Sequence, residues 1–117
     1  MVENWPEFTK TLSTDLRALR AAAPDVMKAF GALAQTASAR GALDIKTKEL
    51  VAIGISVAAR CDDCIAFHVK GAIEHGASRE EVLETLGMAI YMGAGPSAMY
   101  ASHALDAFTQ FSAPVTK

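Results

Sequence analysis

Apolar residues recur along this chain at intervals of three and four positions, the spacing that collects them on one face of an α-helix. Two stretches near the start show this spacing, one from about Pro6 to Arg20 and one from Pro24 to about Gly41. Proline is favoured in the first turn of a helix and glycine just beyond its end. The pattern therefore predicts two helices with these bounds.

The stretch from Leu50 to Ala59 is apolar at nearly every position, and it follows Asp44, a residue type that caps helix N-termini. Its length and alanine content favour a helix over a strand. A helix that lacks a polar face is a buried one. We expect this segment to be the central helix, covered on all sides.

Three further helices are predicted in the second half of the chain, over about Asp62–His75, from Ser78 onwards, and over about Pro96–Phe111. Gly76 suits the C-terminal cap of the first, and Ser78 with Glu81 has the spacing of a capping box. The cluster Gly93–Pro96 separates the last two helices. Residues 112–117 are expected to form a loose tail.

Composition supports an all-α fold of about six helices, arranged as a helical bundle in a single domain over residues 1–117. Alanine, the strongest helix former, makes up about a fifth of the chain. The chain is 51% hydrophobic and 21% charged, which excludes a disordered protein. Its 11 basic and 13 acidic residues leave no positive excess for phosphates, which argues against nucleic-acid binding.

Neither a membrane span nor a secretory signal is expected. The longest uncharged stretch, from Thr85 to Leu105, is interrupted by glycines and a proline and holds several polar residues. The first residues lack the basic cluster and apolar run of a signal peptide. These features predict a cytoplasmic protein.

The chain is unusually apolar for its size, with a mean hydropathy of +0.21. A small domain buries a smaller fraction of its surface than a large one does. Burial between subunits is the simplest way to cover the remaining apolar surface. We therefore expect a homo-oligomer, with dimer, trimer and hexamer open on this argument.

The two cysteines of the chain form a CxxC motif, Cys61 and Cys64, and His68 follows one helical turn later. At about 100° per residue, all three fall within an arc of roughly 60° on one helix. A thiol must lose its proton to become a nucleophile, and a histidine one turn away can take that proton. An oxidised sulfur can then be resolved by the second thiol, and the resulting disulfide needs an external reductant.

Two acidic features bear on this motif. Glu49 lies 12 residues before the first cysteine, at the start of the central helix, and could approach His68 if the two helices pack side by side. Asp62 and Asp63 stand between the cysteines, and their charges disfavour a neighbouring thiolate.

Other interpretations of these residues stay open at this stage. The thiols could be inert, or they could bind zinc together with His68 and a fourth ligand, namely Glu49, His75 or His103. Three neighbours on one helical face make a poor structural zinc site, so no metal or cofactor is expected. We expect His75 and His103 to have structural roles and Lys46 and Lys48 to be solvated. Another group of residues is expected to pack in the core or between subunits, with an apolar peroxide entrance as the alternative: Met88, Tyr91, Met92, Met99 and Tyr100.

The segment from Lys46 to His68 resembles the AhpD-like branch of the carboxymuconolactone decarboxylase superfamily, which are alkylhydroperoxidases of all-helical fold. The resemblance rests on the spaced glutamate, CxxC and histidine. It continues through Gly76–Glu81 and the turn Gly93–Pro96, and covers about residues 40 to 110.

The resemblance implies that Cys61 and Cys64 are the redox pair, His68 the relay histidine and Glu49 its acidic partner. It implies reduction of organic hydroperoxides, with re-reduction by a dithiol such as a lipoylated or thioredoxin-like protein. It also implies an oligomer, with a hexamer favoured for a short chain and a trimer as the alternative. This chain departs from AhpD at Asp62 and Asp63, because AhpD has a histidine between its cysteines.

We therefore predict a thiol-dependent peroxidase, a peroxiredoxin-type oxidoreductase. Lactone decarboxylation, the activity that names the superfamily, is one alternative, and it does not require a CxxC motif. A non-catalytic thiol redox sensor that binds a partner protein is the other.

Overall fold

The computed structural model describes residues 1–114, and in that range it contains five α-helices and no β-strand. The all-α fold class predicted from the sequence is confirmed. Residues 115–117, the end of the tail that we expected to be loose, lie outside the described residues. The helices are α1 (Trp5–Ala22), α2 (Pro24–Ser38), α3 (Ile45–Ala58), α4 (Asp62–Glu74) and α5 (Arg79–Ser112).

The predicted helix ends are confirmed wherever local chemistry defines them. The Asp44 carboxylate accepts the backbone N–H of Thr47 at 2.7 Å and so caps α3. Ser78 and Glu81 form both bonds of the capping box that starts α5. Gly76 adopts a φ of +85° just past the end of α4, a conformation that favours glycine.

The predicted break at Gly93–Pro96 is present, as a kink between the two helical segments that together make up α5. Ala94 has φ 56° and ψ −140°, and the helix continues on both sides of it. Pro96 lacks an N–H group, but it falls in the first turn after the kink, where that donor would have no intrahelical partner. The chain therefore leaves the helical conformation at Ala94 and resumes it directly afterwards.

The core lies where α3, α4 and α5 pack together, and α1 closes it from one end. Trp5 at the start of α1 is 1% exposed. Its indole N–H donates to Asp106 at 3.1 Å and its backbone N–H to Gln110 at 2.7 Å. These bonds fasten α1 to the last turns of α5. The largest fully buried side chains are Trp5, Ile53, Ile65, Val57, Val69 and Val82.

The expectation that α3 is covered on all sides is wrong for the single chain. Its buried residues lie on the side that faces α4 and α5, whereas Val51 is 50% and Ile55 63% exposed on the other side. Only two helices pack closely along α3, and two neighbours cannot surround a third helix. The apolar sequence of α3 indicates that the helix prefers burial, but it does not identify the surface that would cover it.

Helix α2 lies at the edge of the molecule, and none of its residues is buried. Its apolar residues Val26, Phe30 and Leu33 are between 59% and 69% exposed. Four residues that we expected to pack in the core or between subunits are also exposed in this chain: Met88, Tyr91, Met92 and Met99. Among the described residues, no helix is both long and apolar enough to cross a membrane.

Candidate active site

The connection between α3 and α4 places the cysteine motif at a helix N-terminus. Arg60, which follows the C-cap Ala59 of α3, adopts a φ of 57°, and the N–H of Cys61 bonds back to the carbonyl of Ser56 at 3.0 Å. This 6→1 bond is the one that closes a helix at a Schellman motif. Cys61 is at the same time the N-cap of α4, because its Sγ accepts the backbone N–H of Cys64 at 3.2 Å. One residue thus ends one helix and begins the next.

Cys61 and Cys64 are joined by a disulfide, with their Cα atoms 5.3 Å apart. Both residues are partly exposed, so a reagent in solution can approach them. The N-terminal end of α4 carries a partial positive charge and unpaired backbone N–H groups. That environment stabilises negative charge on sulfur when the bond is reduced.

The tight junction makes α3 and α4 neighbours, and it brings Glu49 opposite His68. The carboxylate Oε2 of Glu49 lies 3.0 Å from Nδ1 of His68. A carboxylate can only accept hydrogen bonds, so Nδ1 carries the proton and Nε2 of the neutral ring keeps a free lone pair. The side chain of Glu49 is 15% exposed and that of His68 is 36% exposed. The contact predicted between the two helices is therefore present.

Gly71 provides the space that this contact needs. It lies on α4 one turn after His68, and a Cβ atom there would sit 2.6 Å from Oε2 of Glu49. Real Cβ atoms essentially never make contacts that short. The carboxylate of Glu49 therefore lies in a slot on the surface of α4 that exists because residue 71 has no side chain.

An apolar cavity of about 250 Å³ borders the Glu49–His68 pair. Its walls include Leu43, Val51 and Ile55, and neither cysteine lines it. The neighbouring Lys48 also borders it, and its ammonium group donates hydrogen bonds to the carbonyls of Ala37 and Ala39 at the end of α2. The end of α2 thus forms one side of the cavity.

A second carboxylate–imidazole pair lies beside the cysteine motif, and sequence reasoning missed it. Nδ1 of His103 lies 2.8 Å from Oδ1 of Asp62, the residue that follows Cys61. The His103 ring packs against Tyr100, with ring centroids 4.7 Å apart. The two partners are 41 residues apart in sequence. One feature of the sequence could have drawn attention to His103. Small residues recur around it at helical spacing, and this places His103 beside the packed face of α5.

The remaining predicted residues have structural contacts. His75 is the C-cap of α4, where Nδ1 meets the carbonyl of Gly71 at 2.8 Å, in keeping with the structural role expected of it. Lys46 is not simply solvated, because its Nζ lies 2.9 Å from a carboxylate oxygen of Glu81. That contact raises the pKa of Lys46. The pKa of Glu81 is lowered by the N–H of Ser78 and by Lys46.

Lys48 is not free in solvent either, since its Nζ donates hydrogen bonds to the carbonyl of Ala37 in α2 and to that of the C-cap Ala39. Within residues 1–114, no three histidine, cysteine or acidic side chains are grouped as metal ligands would be. Both cysteine sulfurs are engaged in the disulfide.

Comparison with known proteins places this arrangement in a family. The model of the carboxymuconolactone decarboxylase family matches residues 24–107. An uncharacterised protein of Cupriavidus necator is 44% identical over 96 residues, which cover 82% of this chain and 85% of the relative.

Two solved structures share the fold. A carboxymuconolactone decarboxylase family protein from Legionella pneumophila, crystallised in its apo form, has a TM-score of 0.90 and 50% identity, covering 93% of this chain and 97% of that one. A family protein from Thermotoga maritima, with a suggested part in an antioxidative response, has a TM-score of 0.80 and 29% identity, covering 87% of each chain. Because the family model covers residues 24–107 and the fold agrees with that of two family structures, the chain belongs to the carboxymuconolactone decarboxylase family, and it resembles the AhpD-like branch.

Proposed function

We propose that this protein is a thiol-dependent peroxidase that reduces organic hydroperoxides through the Cys61–Cys64 pair. The observation that carries the proposal is the 3.0 Å contact between Glu49 and His68, one helical turn beyond a disulfide at the N-terminus of α4. A redox-active sulfur pair and an oriented base are the two parts that such a reaction needs.

The proton is handled by His68. Glu49 holds Nδ1–H, so that Nε2 can accept the proton of the Cys64 thiol from a position one turn further along α4. The cation formed on the imidazole is then stabilised by the carboxylate beside it. His68 is thus the general base of the proposal, and Glu49 orients it.

The reaction consumes one hydroperoxide and two thiols. The Cys64 thiolate attacks the terminal peroxide oxygen, the O–O bond breaks, and the alcohol leaves with the proton held by His68. Cys64 is now a sulfenic acid, and Cys61 attacks its sulfur to release water and form the disulfide. An external dithiol, carried by a lipoylated or thioredoxin-like protein, returns two electrons and two protons and becomes a disulfide itself.

The roles of the two sulfurs follow from their positions. Cys64 has His68 four residues ahead on the same helix, which favours it as the attacking sulfur. Cys61 has the N–H of Cys64 directed at its Sγ, which favours a thiolate that is ready to resolve the intermediate.

We assign the apolar cavity beside His68 to the alkyl part of the hydroperoxide. Its walls are mostly apolar, with Leu43, Val51 and Ile55 among them, so they favour an alkyl group over a small polar peroxide. An apolar substituent gains from leaving water there. An organic hydroperoxide is therefore expected to react faster than hydrogen peroxide.

We further propose that the protein acts as a homo-oligomer, with a hexamer favoured. In this proposal, a second copy of the chain covers the exposed apolar surfaces. The unburied side of α2, with Phe30 at its middle, offers an apolar stripe. A groove of about 500 Å³ between α3 and α5 offers a complementary apolar surface, which includes Ile55, Met88 and Met92.

The test is turnover of tert-butyl hydroperoxide with dihydrolipoamide, comparing the unchanged protein with Cys61→Ser and Cys64→Ser. Both variants should lose turnover, and only Cys61→Ser should still form one sulfenic acid per chain. Sulfenic acid formation in Cys64→Ser alone would reverse the two roles. Absence of turnover in the unchanged protein, with reversible disulfide formation, would favour the redox sensor. A lactone decarboxylase would keep its activity when both cysteines are replaced by alanine.

A further inference from the structure

The acidic residues between the cysteines raise an electrostatic question. Asp62 is the first residue of α4, and it stands directly next to Cys61 and two positions before Cys64. A negative charge at this place opposes thiolate formation on either sulfur. A protein that must reduce and re-form this disulfide needs some compensation for that charge.

The structure contains a compensating group. His103 comes from the second half of α5 and places Nδ1 at 2.8 Å from Oδ1 of Asp62. The side chains are only 16% and 25% exposed, respectively, so solvent screens the contact less than it would a surface pair. Tyr100, on the preceding turn of α5, packs against the His103 ring. Asp63, the other acid of the motif, is exposed and provides a natural comparison.

We propose that Asp62 and His103 form a positioning pair that sets the reduction potential of the Cys61–Cys64 disulfide. Neither residue exchanges a proton with substrate in this proposal. His103 hydrogen-bonds the Asp62 carboxylate through Nδ1, holds it towards α5 and disperses part of its charge, which stabilises the reduced sulfurs. This inference rests on the redox cycling of the cysteine pair in the proposed function.

The step that the pair influences is the reduction of the disulfide. A dithiol thiolate attacks one sulfur, the S–S bond breaks, and a mixed disulfide forms. The second thiol of the reductant displaces it, so that two electrons and two protons pass to the protein and the reductant leaves as a disulfide. Anything that stabilises the reduced sulfurs makes the protein disulfide easier to reduce.

The experiment is an equilibrium titration of the purified protein with reduced and oxidised dithiothreitol at pH 7, with free thiols counted after acid quenching. His103→Leu should shift the equilibrium about tenfold towards the disulfide, which is about 30 mV for a two-electron couple. Asp62→Asn removes the opposing charge, and it should shift the equilibrium in the opposite direction.

A double-mutant comparison separates this role from a structural one. In the Asp62→Asn background the effect of His103→Leu should fall below about twofold, because the charge to be offset is gone. In the matched Asp63→Asn background it should stay near tenfold. Circular dichroism checks that each variant is folded.

Each outcome decides the question. The proposal for the pair is overturned if His103→Leu shifts the thiol–disulfide equilibrium equally in both backgrounds. It is also overturned if a folded His103→Leu variant shows no shift. Because the titration contains no peroxide, it can support the pair even if the unchanged protein has no peroxidase turnover, and in that case only the peroxidase proposal fails. A disulfide that does not equilibrate with dithiothreitol in the unchanged protein would overturn both proposals.

Discussion

Gly71 offers a sharp test of the relay, because adding one methyl group should disturb it without touching either reacting partner. In Gly71→Ala the new Cβ would lie 2.6 Å from Oε2 of Glu49 and 2.9 Å from its Cδ. The Glu49 side chain has a flexible end, so it should swing away and the helix should keep its shape. His68 would then lose the carboxylate that fixes its Nδ1–H.

The expected effects on stability and activity differ in size. Alanine is better than glycine inside a helix by about 0.5–1 kcal/mol. A lost hydrogen bond to a charged group costs about 1.5–3 kcal/mol when buried, and less here because His68 is 36% exposed. The free energy of unfolding should therefore change by only about 1 kcal/mol. Removal of a general base costs about 10²- to 10⁴-fold, so disorienting one should reduce kcat/KM by about ten- to a hundredfold.

The assay is hydroperoxide turnover at saturating dithiol, measured together with urea unfolding. Gly87→Ala is the matched control, because residue 87 is also inside a helix and a Cβ there meets nothing within 4 Å. It should gain stability and keep its kcat/KM. In a Glu49→Ala background, Gly71→Ala should cause no further loss, since no carboxylate remains to be displaced.

Two results would refute this reasoning. Full activity in Gly71→Ala would mean that the Glu49 contact does not support the reaction. A loss of activity that persists unchanged in the Glu49→Ala background would mean that the added methyl group acts through something other than the carboxylate.

Three other predictions concern the fold and the assembly. Ala94→Gly should raise the free energy of unfolding by about 1 kcal/mol in urea titrations, because φ 56° is strained for alanine and open to glycine. The pKa of Glu81 is held below its ordinary value of 4.5 by the Ser78 N–H and by Lys46, so its stabilisation is present above that pH and lost as the pH falls through the folded-state pKa. Glu81→Gln should therefore flatten the fall of Tm on acidification. Phe30→Asp should lower the mass of the proposed homo-oligomer in analytical ultracentrifugation without changing the circular dichroism spectrum, and an unchanged mass would exclude α2 from the proposed subunit contact.

The sequence predicted best those features that are decided by neighbouring residues. The caps at Asp44 and Ser78 and the glycine turn at Gly76 depend on groups within three or four positions, and all three are present. The Glu49–His68 contact was also within reach. It was a hypothesis that depended on α3 and α4 packing side by side, and residue spacing alone did not establish it.

Features that depend on distant segments were not predictable in the same way. No local rule connects Asp62 with His103, because α5 must first fold back across α4. The break at Ala94, in contrast, was predicted from the local glycine and proline signals, and Pro96 lies in the first turn of the helical segment that follows it. The exposure of Ile55 was missed because a hydrophobic residue indicates a preference for burial but does not show which neighbouring surface covers it.

The Cys61 sulfur caps α4 in the structure and is a reacting atom in the proposed function, and this affects how substitutions at residue 61 must be interpreted. A hydroxyl caps a helix well, so serine removes the redox function and keeps an acceptor for the Cys64 N–H. Alanine removes both, and losing a cap costs about 0.5–2 kcal/mol. A Cys61→Ala protein would thus combine a missing thiol with a frayed first turn of α4, and only the serine version isolates the loss of the thiol.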